Sequence, residues 1–341
     1  MSSLTGQKVL ITGGCGSVGS ELVSRILNEE PSIVRVLDTD EAALFNLQSQ
    51  YEEDDRLRFL IGDVRDRDRL EMAVEGIDVI FHAAALKHVG LTEYNPFEAV
   101  QTNVQGTQNL IRVALEEEVD SFVTISTDKA SNPVSVMGAT KLLSERIVIA
   151  ANTYKGNRNT EFGVVRFGNV LGSSGSVVPI FMKQIRNGGP VTVTSPEMTR
   201  FIMPLEKAAD LVLQAHEKMT SGEVFVLKMP VFKVADLAEA MVDRYSQDFG
   251  YTREEIDIDV TGMRPAERMH EKLISKDESL NAKELKEMYV ILPQINVPGY
   301  EAANYSNADP VEGEYTSADQ ELLSKSSIVE MIEDSNVRSR I

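Results

Sequence analysis

The chain has 341 residues, 42% hydrophobic and 26% charged, which suits one large globular unit or a domain with a smaller lobe and excludes a disordered chain. Its formal net charge of -19, with acidic residues spread along the sequence, disfavours nucleic acid and anionic membrane as partners and suits a solubilised surface at high salt. No apolar run approaches the roughly 20 residues of a membrane helix, Met1–Lys8 has no signal-peptide pattern, and the single Cys15 can form no internal disulfide; the expected compartment is the cytoplasm.

The first half alternates short apolar runs with amphipathic stretches. Strands are expected at Lys8–Thr12, Ile33–Leu37, Arg58–Ile61, Asp78–Phe81, Phe122–Ser126 and Gly163–Phe167. Helices are expected at Glu21–Leu27, Glu41–Tyr51, Pro96–Glu117 and Val136–Thr153. That alternation predicts an α/β fold of Rossmann type, a doubly wound parallel sheet with helices on both faces, over residues 1–170. Beyond residue 170 the regularity falls. Short strands (Val191–Thr194, Glu223–Lys228) and helices (Glu206–Lys218, Val234–Tyr245) among Gly/Ser/Pro-rich loops predict a smaller substrate-binding lobe over 171–294, with contributions from later segments to the sheet domain. Residues 295–341 read as an acidic tail, extended or partly ordered to Tyr315, with a last helix over Ser317–Asp334.

The first strand runs into Thr12-Gly-Gly-Cys-Gly-Ser-Val-Gly19 and then a helix. Gly13 permits the tight turn, Gly16 lets the backbone approach a pyrophosphate, and Gly19 allows helix and strand to pack closely. The second strand ends on Asp38, placed to accept from ribose hydroxyls and to repel a 2′-phosphate, so the expected cofactor is NAD rather than NADP; the competing reading of Asp38 is a helix cap. Asp63, after the third strand, suits a contact with the adenine amino group, and Cys15 reads as a small loop filler.

Two further stretches carry chemistry by position. Ser126-Thr-Asp-Lys-Ala130 lies at the C-terminal end of the fifth strand, where open parallel sheets place their sites. Met137-Gly-Ala-Thr-Lys141 opens the next helix, with Met137 and Lys141 one turn apart. His82, His216 and His270 have no metal-like spacing and no metal is expected.

Together with His82-Ala-Ala-Ala85, these stretches resemble the extended short-chain dehydrogenase/reductase superfamily. More narrowly, Ala84–Val89, Glu93–Pro96, Thr102–Thr107, Ser126–Ala130, Arg166–Val170, Met198–Phe201 and Arg264–Arg268 resemble the UDP-N-acetylglucosamine 4,6-dehydratases of surface-glycan synthesis, from Lys8 to about Lys272. The superfamily's Tyr-x-x-x-Lys has Met137 where the tyrosine belongs, and the resemblance is to the short form of the Met branch, without a membrane part.

The resemblance implies resident NAD that takes a hydride from C4 of the sugar and returns it to C6 after water leaves across C5–C6. It implies Lys129 as the C5 base, Asp128 as the acid for the C6 hydroxyl, Thr127 on the C4 oxygen and Lys141 on the nicotinamide ribose. With Met137 in the tyrosine position, the C4 proton leaves through Thr127, Asp128 or a water. Ser17, Val18, Val64, Ala83, Ala85, Lys87 and Asn103 complete the implied cofactor contacts; Lys87, His88, Asn169, Arg200, Arg264 and Glu267 are the implied contacts to the UDP-sugar. Each single basic residue has a solvated surface charge as its alternative. In place of the family's Glu-Glu after Arg-Pro stands His270-Glu-Lys272. Relatives assemble, so a homo-oligomer is expected. Two other functions stay open: an NAD-dependent UDP-sugar 4-epimerase, and a non-catalytic binding protein on the same scaffold.

Overall fold

The computed structural model describes residues 4–173, 175–300 and 302–335. Its centre is a parallel sheet of β1 (Lys8–Thr12), β2 (Ile33–Asp38), β3 (Leu57–Ile61), β4 (Val79–His82), β5 (Ser121–Thr127) and β6 (Glu161–Phe167), in the order β3-β2-β1-β4-β5-β6. The strand order reverses between β1 and β4, which opens a crevice at their C-terminal ends. Apolar side chains on both faces of β1, β4, β5 and β6 are buried, as a sheet covered by helices requires.

The sheet does not stop at β6. Val224–Leu227 adds a parallel strand, and Met288–Ile291, Ala282–Glu284 and Asp309–Pro310 extend it antiparallel. The segment after Asn296 is therefore bound into the fold. The Tyr305 hydroxyl donates to the carbonyl of Lys218 (2.7 Å), and Tyr315–Thr316 pairs with Lys272–Ile274. The last helix is shorter than the sequence pattern suggests, Lys325–Asp334, because Ser324 caps it by accepting from the Ser327 N–H. A short helix at Arg67–Val74, capped by Asp66, completes the alternation between β3 and β4. The expected helix over Pro96–Glu117 has a π-helical insert at Val100–Gly106.

A second, smaller core lies beyond the sheet. Phe181, Ile185, Phe232, Leu237, Met241 and Tyr245 pack with Ile328 and Ile332 of the last helix. A three-stranded sheet of Val231–Lys233, Thr199–Met203 and Asn169–Val170 links this lobe to the end of β6. Among the described residues no helix is long and apolar enough to cross a membrane.

Candidate active site

The glycine loop is shaped by contacts that leave no room for side chains. Gly13 has φ +68°, and a Cβ there would stand 2.6 Å from the backbone of Ala84 at the end of β4. A Cβ at Gly19 would stand 2.2 Å from the Gly13 carbonyl oxygen, so the helix Ser17–Leu27 rests directly on the loop. At Gly16 the nearest neighbour is 3.2 Å away, and no side chain caps the helix that Gly16 precedes. The loop thus offers backbone and a helix N-terminus that begins with Ser17 and Val18, a surface that fits a dinucleotide phosphate.

Asp38 closes the other side of the loop. Its Oδ2 accepts from the Cys15 N–H (2.9 Å) and its Oδ1 from the Asp40 N–H (3.2 Å). The adjoining helix is capped by Asp40 rather than Asp38. Burial, with the charges of Asp38 and Asp40, pushes the Cys15 thiol up to about 12. Asp63 is gripped by Arg65 through Nε (2.9 Å) and Nη2 (2.6 Å), while Val64 packs against the helix position occupied by Gly106. Ala83 and Ala85 line the half-buried turn after β4. The Asn103 side chain is buried and tied to that turn: its Oδ1 accepts from Leu86 N–H (2.8 Å), and its Nδ2 donates to the Leu86 carbonyl (3.1 Å) and to Thr140 Oγ1 (3.0 Å). Asn103 therefore shapes the loop that carries Lys87 and His88 and ties it to the helix of Lys141.

The Thr127-Asp128-Lys129 stretch stands where β5 ends. Asp128–Ala130 forms one tight 3-10 turn, with Thr127 Oγ1 accepting from the Lys129 N–H. Asp128 is fully buried. Its Oδ1 accepts from Thr127 Oγ1 (2.8 Å) and from Lys129 Nζ (2.9 Å), and its Oδ2 has no partner among the described residues. The helix Val136–Tyr154 begins against this turn, capped by Ser135, and Glu93 accepts from the Val136 N–H (2.6 Å). Only glycine fits at 138, since a Cβ would stand 2.3 Å from the Lys129 carbonyl oxygen. Met137 is buried in the first turn.

Lys141 is buried one turn on, its ammonium donating to the Ile125 carbonyl (2.5 Å). Burial lowers it to about 8, against the pull of Glu145. His82, at the end of β4, bridges Thr12 Oγ1 (2.7 Å) and Thr107 Oγ1 (3.0 Å), and burial with the nearby Lys141 charge pushes it down to about 3. It is a neutral strut between β1 and the helix behind the site.

The far side of the site comes from the lobe. Arg200 is buried. Its Nη1 donates to the carbonyls of Thr199 (2.8 Å) and Met269 (3.2 Å), and its Nη2 to that of Arg268 (2.9 Å). Arg200 also faces Glu267 and Glu271, each at 3.7 Å. This guanidinium clamps the Arg264–Glu271 segment to the lobe, and most of its donors are occupied. Glu267 accepts from the Arg264 N–H (3.1 Å), while the Arg264 side chain is exposed. Asn169 sits at the start of the short strand after β6 with its Oδ1 buried and without a partner among the described residues. His88 is exposed and lies against Gly175, where a Cβ would come within 2.7 Å of its ring; Lys87 is exposed beside it.

Glu271 was not singled out by the sequence, yet it joins the centre. It is 3% exposed, and its Oε1 lies 3.6 Å from Lys129 Nζ. Burial works to strip the proton from Lys129, but Asp128 and Glu271 outweigh burial and the opposing Arg200, so the ammonium is held above its ordinary range. Gly138 and Gly168 were missed too. A Cβ at Gly168 would stand 2.6 Å from Phe201 Cβ and 3.4 Å from Asp128 Oδ2. Both are close-approach glycines: Gly168 meets Phe201 and Asp128 far along the chain, and Gly138 meets the Lys129 carbonyl across the turn before it, contacts that residue patterning does not carry.

This fold and site define a nucleotide-sugar dehydratase/epimerase of the extended short-chain dehydrogenase/reductase type. Residues 9–293 match the family described as "Polysaccharide biosynthesis protein", and the chain belongs to it. It is 51% identical over 326 residues to "Uncharacterized membrane protein MJ1061" of Methanocaldococcus jannaschii, covering 96% of this chain and 95% of that one. It is 40% identical over 305 residues to a "UDP-N-acetylglucosamine 4,6-dehydratase (inverting)" of Campylobacter jejuni, covering 89% and 88%. A protein named UDP-glucose 4-epimerase from Rickettsia rickettsii is 38% identical over 290 residues, covering 83% and 82%. The X-ray structure of Pen from Bacillus thuringiensis superposes with a TM-score of 0.90 at 40% identity, covering 97% of this chain and 98% of that one.

Proposed function

We propose that the protein is an NAD-dependent 4,6-dehydratase acting on UDP-N-acetylglucosamine, yielding a UDP-linked 4-keto-6-deoxy sugar for surface polysaccharide or glycan synthesis. One observation carries this reading: the buried Asp128 carboxylate, bonded through one oxygen to Thr127 and Lys129 and open through the other. Adjacent acid and base groups serve an elimination. The glycine loop, with Asp38 behind it and Lys141 at the inner end, fits the dinucleotide. Bound NAD supplies a hydride acceptor for C4 and a donor for C6, without net redox change.

The chain's own residues handle the protons. Thr127 hydrogen-bonds the C4 oxygen, and the C4 proton leaves through Thr127 to a water. Lys129 as the free amine takes the C5 proton, and Asp128 as the carboxylic acid protonates the C6 hydroxyl, which departs as water. The Lys129 ammonium then returns its proton to C5, and a proton taken up from water restores the Lys129–Asp128 ion pair. The ion pair of Lys129 and Asp128 carries the same number of protons as the amine and acid that the elimination uses. One proton shift along the 2.9 Å contact interconverts them. Asn169, Arg264 and Glu267 are the proposed contacts to the UDP-sugar, together with Lys87 and His88. Arg200 holds their segment in place.

The reading is tested by mixing purified protein with UDP-N-acetylglucosamine and no added cofactor, followed by mass spectrometry and NMR. Loss of one water supports dehydration. A new sugar of unchanged mass would instead establish the 4-epimerase reading that the Rickettsia name favours. Bound nucleotide with no product would establish a non-catalytic binding protein. Lys129→Ala should abolish solvent-deuterium exchange at C5; exchange and turnover like the wild type would sink the assignment of the base.

A further inference from the structure

Four charged side chains close on one point from three parts of the chain. Asp128 and Lys129 come from the turn after β5, Arg200 from the strand Thr199–Met203, and Glu271 from the segment that Arg200 clamps. Glu271 Oε1 is shared between the two cations, 3.6 Å from Lys129 Nζ and 3.7 Å from Arg200 Nε, while its Oε2 is buried without a partner among the described residues. Its backbone is fixed as well: the Glu271 N–H donates to Ser317 Oγ (2.9 Å), and the Ser317 N–H donates to the Glu271 carbonyl (2.9 Å). A carboxylate buried so deeply and lacking a full set of hydrogen bonds is destabilising unless its charge is used.

We propose that Glu271 is a positioning residue of the acid–base pair: it holds the Lys129 ammonium against Asp128 and, through its own tie to Arg200, sets how readily Lys129 passes a proton to Asp128. This rests on the dehydratase reading for its consequence, though not for its physics. The groups facing Lys129 are Asp128 on its own turn, Glu271 from the clamped segment and Arg200 from the lobe strand; the helix behind contributes Gly138, which is uncharged. Both carboxylates favour the ammonium. When Asp128 takes the proton, Glu271 is the anion that remains opposite Lys129. Arg200 partly neutralises Glu271 and so eases the transfer. Removing the Glu271 charge while keeping its shape therefore lowers the pH at which Lys129 becomes an amine. A carboxylate that only filled space would leave that pH unmoved.

The experiment is competitive acetylation of every lysine in the full-length protein across a pH series, read by peptide mass spectrometry, for the wild type and Glu271→Gln. The Lys129 midpoint should lie above those of exposed lysines in the wild type. In Glu271→Gln it should fall by about one pH unit or more, the usual effect of removing an adjacent opposite charge. Glu271→Asp, which keeps the charge, should restore most of the shift. An unmoved midpoint in Glu271→Gln overturns the proposal. Should that variant fail to fold, a wild-type Lys129 midpoint at or below that of exposed lysines overturns it as well. Turnover of UDP-N-acetylglucosamine, measured on the same samples, separates the two claims. A shifted midpoint without dehydrated product in the wild type refutes the function while leaving the role of Glu271 standing. With product, the alkaline limb of the rate profile should move down in Glu271→Gln together with the labelling midpoint, because loss of the Lys129 proton leaves Asp128 without the proton that the departing hydroxyl needs.

Discussion

Glu145 and Arg166 form a two-point ion pair in the interior of the protein, Nε to Oε1 at 3.1 Å and Nη2 to Oε2 at 2.7 Å. Glu278 completes it from the opposite side, at 2.8 Å and 3.1 Å from the same guanidinium. The three residues join β6, the helix that carries Lys141, and the short helix Lys276–Ser279. Arg166→Met would leave two buried carboxylates facing one another. It should lower stability by about 3–5 kcal/mol, the usual result of removing one partner from a buried pair. Urea unfolding monitored by circular dichroism checks this, and a loss below about 1 kcal/mol would refute it.

Acid should destabilise the protein in two stages. Burial and the charge of Lys141 hold His82 down to about 3, and burial holds His216 down to about 4. The unfolded chain protonates these histidines near 6.5, before the native state does. Stability therefore falls as pH drops below about 6.5, by about 1.4 kcal/mol per pH unit for each histidine. Glu278 adds a second stage. Burial opposes its charge, but Arg166 and Ser275 overcome that and hold it at about 2. Its folded value lies below its unfolded one, so its contribution is complete above about 4.5 and is lost as pH falls towards 2. Denaturant midpoints between pH 7 and 3 would show both stages. A flat profile from pH 6 to 5 would count against the histidine assignment.

Gly138→Ala should damage the site more than the fold. Its Cβ would be placed 2.3 Å from the Lys129 carbonyl and 3.1 Å from Pro133 Cβ, so the helix start and the Asp128–Ala130 turn must separate. Overpacking of this kind costs about 1–3 kcal/mol. Turnover should drop at least about tenfold, since a displaced acid–base pair loses its alignment. Thermal unfolding together with kcat separates the two effects, and an unchanged kcat would show that the turn tolerates the shift.

Asp38→Asn should relax cofactor choice. The carboxylate now bonds the Cys15 and Asp40 N–H groups and is proposed to repel a 2′-phosphate. Its loss should raise the NADP to NAD ratio of binding constants on the order of tenfold, or about 1.4 kcal/mol. Calorimetry on cofactor-free protein measures the ratio. In the wild type, Cys15 should resist iodoacetamide at pH 8, because burial and the two aspartates keep it a thiol. Rapid alkylation of the folded protein would contradict that.

The six strands and the Thr-Asp-Lys turn were legible because short-range rules govern them. Apolar runs of strand length between amphipathic stretches mark β1 to β6, and the glycine spacing marks the loop after β1. Other features obeyed no local pattern. The π-helical insert around Asn103 has no composition of its own, and its side chain is positioned by Leu86 and Thr140. The polar segment after Asn296 looked loosely ordered because it lacks periodicity. It is held by strand pairing and by buried Tyr305 and Tyr315, interactions with partners far along the chain.

The sequence by itself determined the α/β alternation, the glycine loop with Asp38, and the placing of Asp128 and Lys129 side by side where β5 ends, since each depends on residues a few positions apart; the proposed acid and base roles of the two come from the family resemblance. Tertiary structure decided what charge those residues carry. Lys129 holds its proton because Asp128 and Glu271 flank it, Lys141 is lowered because it is buried beside Ile125, and Arg200 is clamped by carbonyls of the 268–269 turn. Proton affinity follows the distance to other charges and to water, and only the folded chain sets those distances.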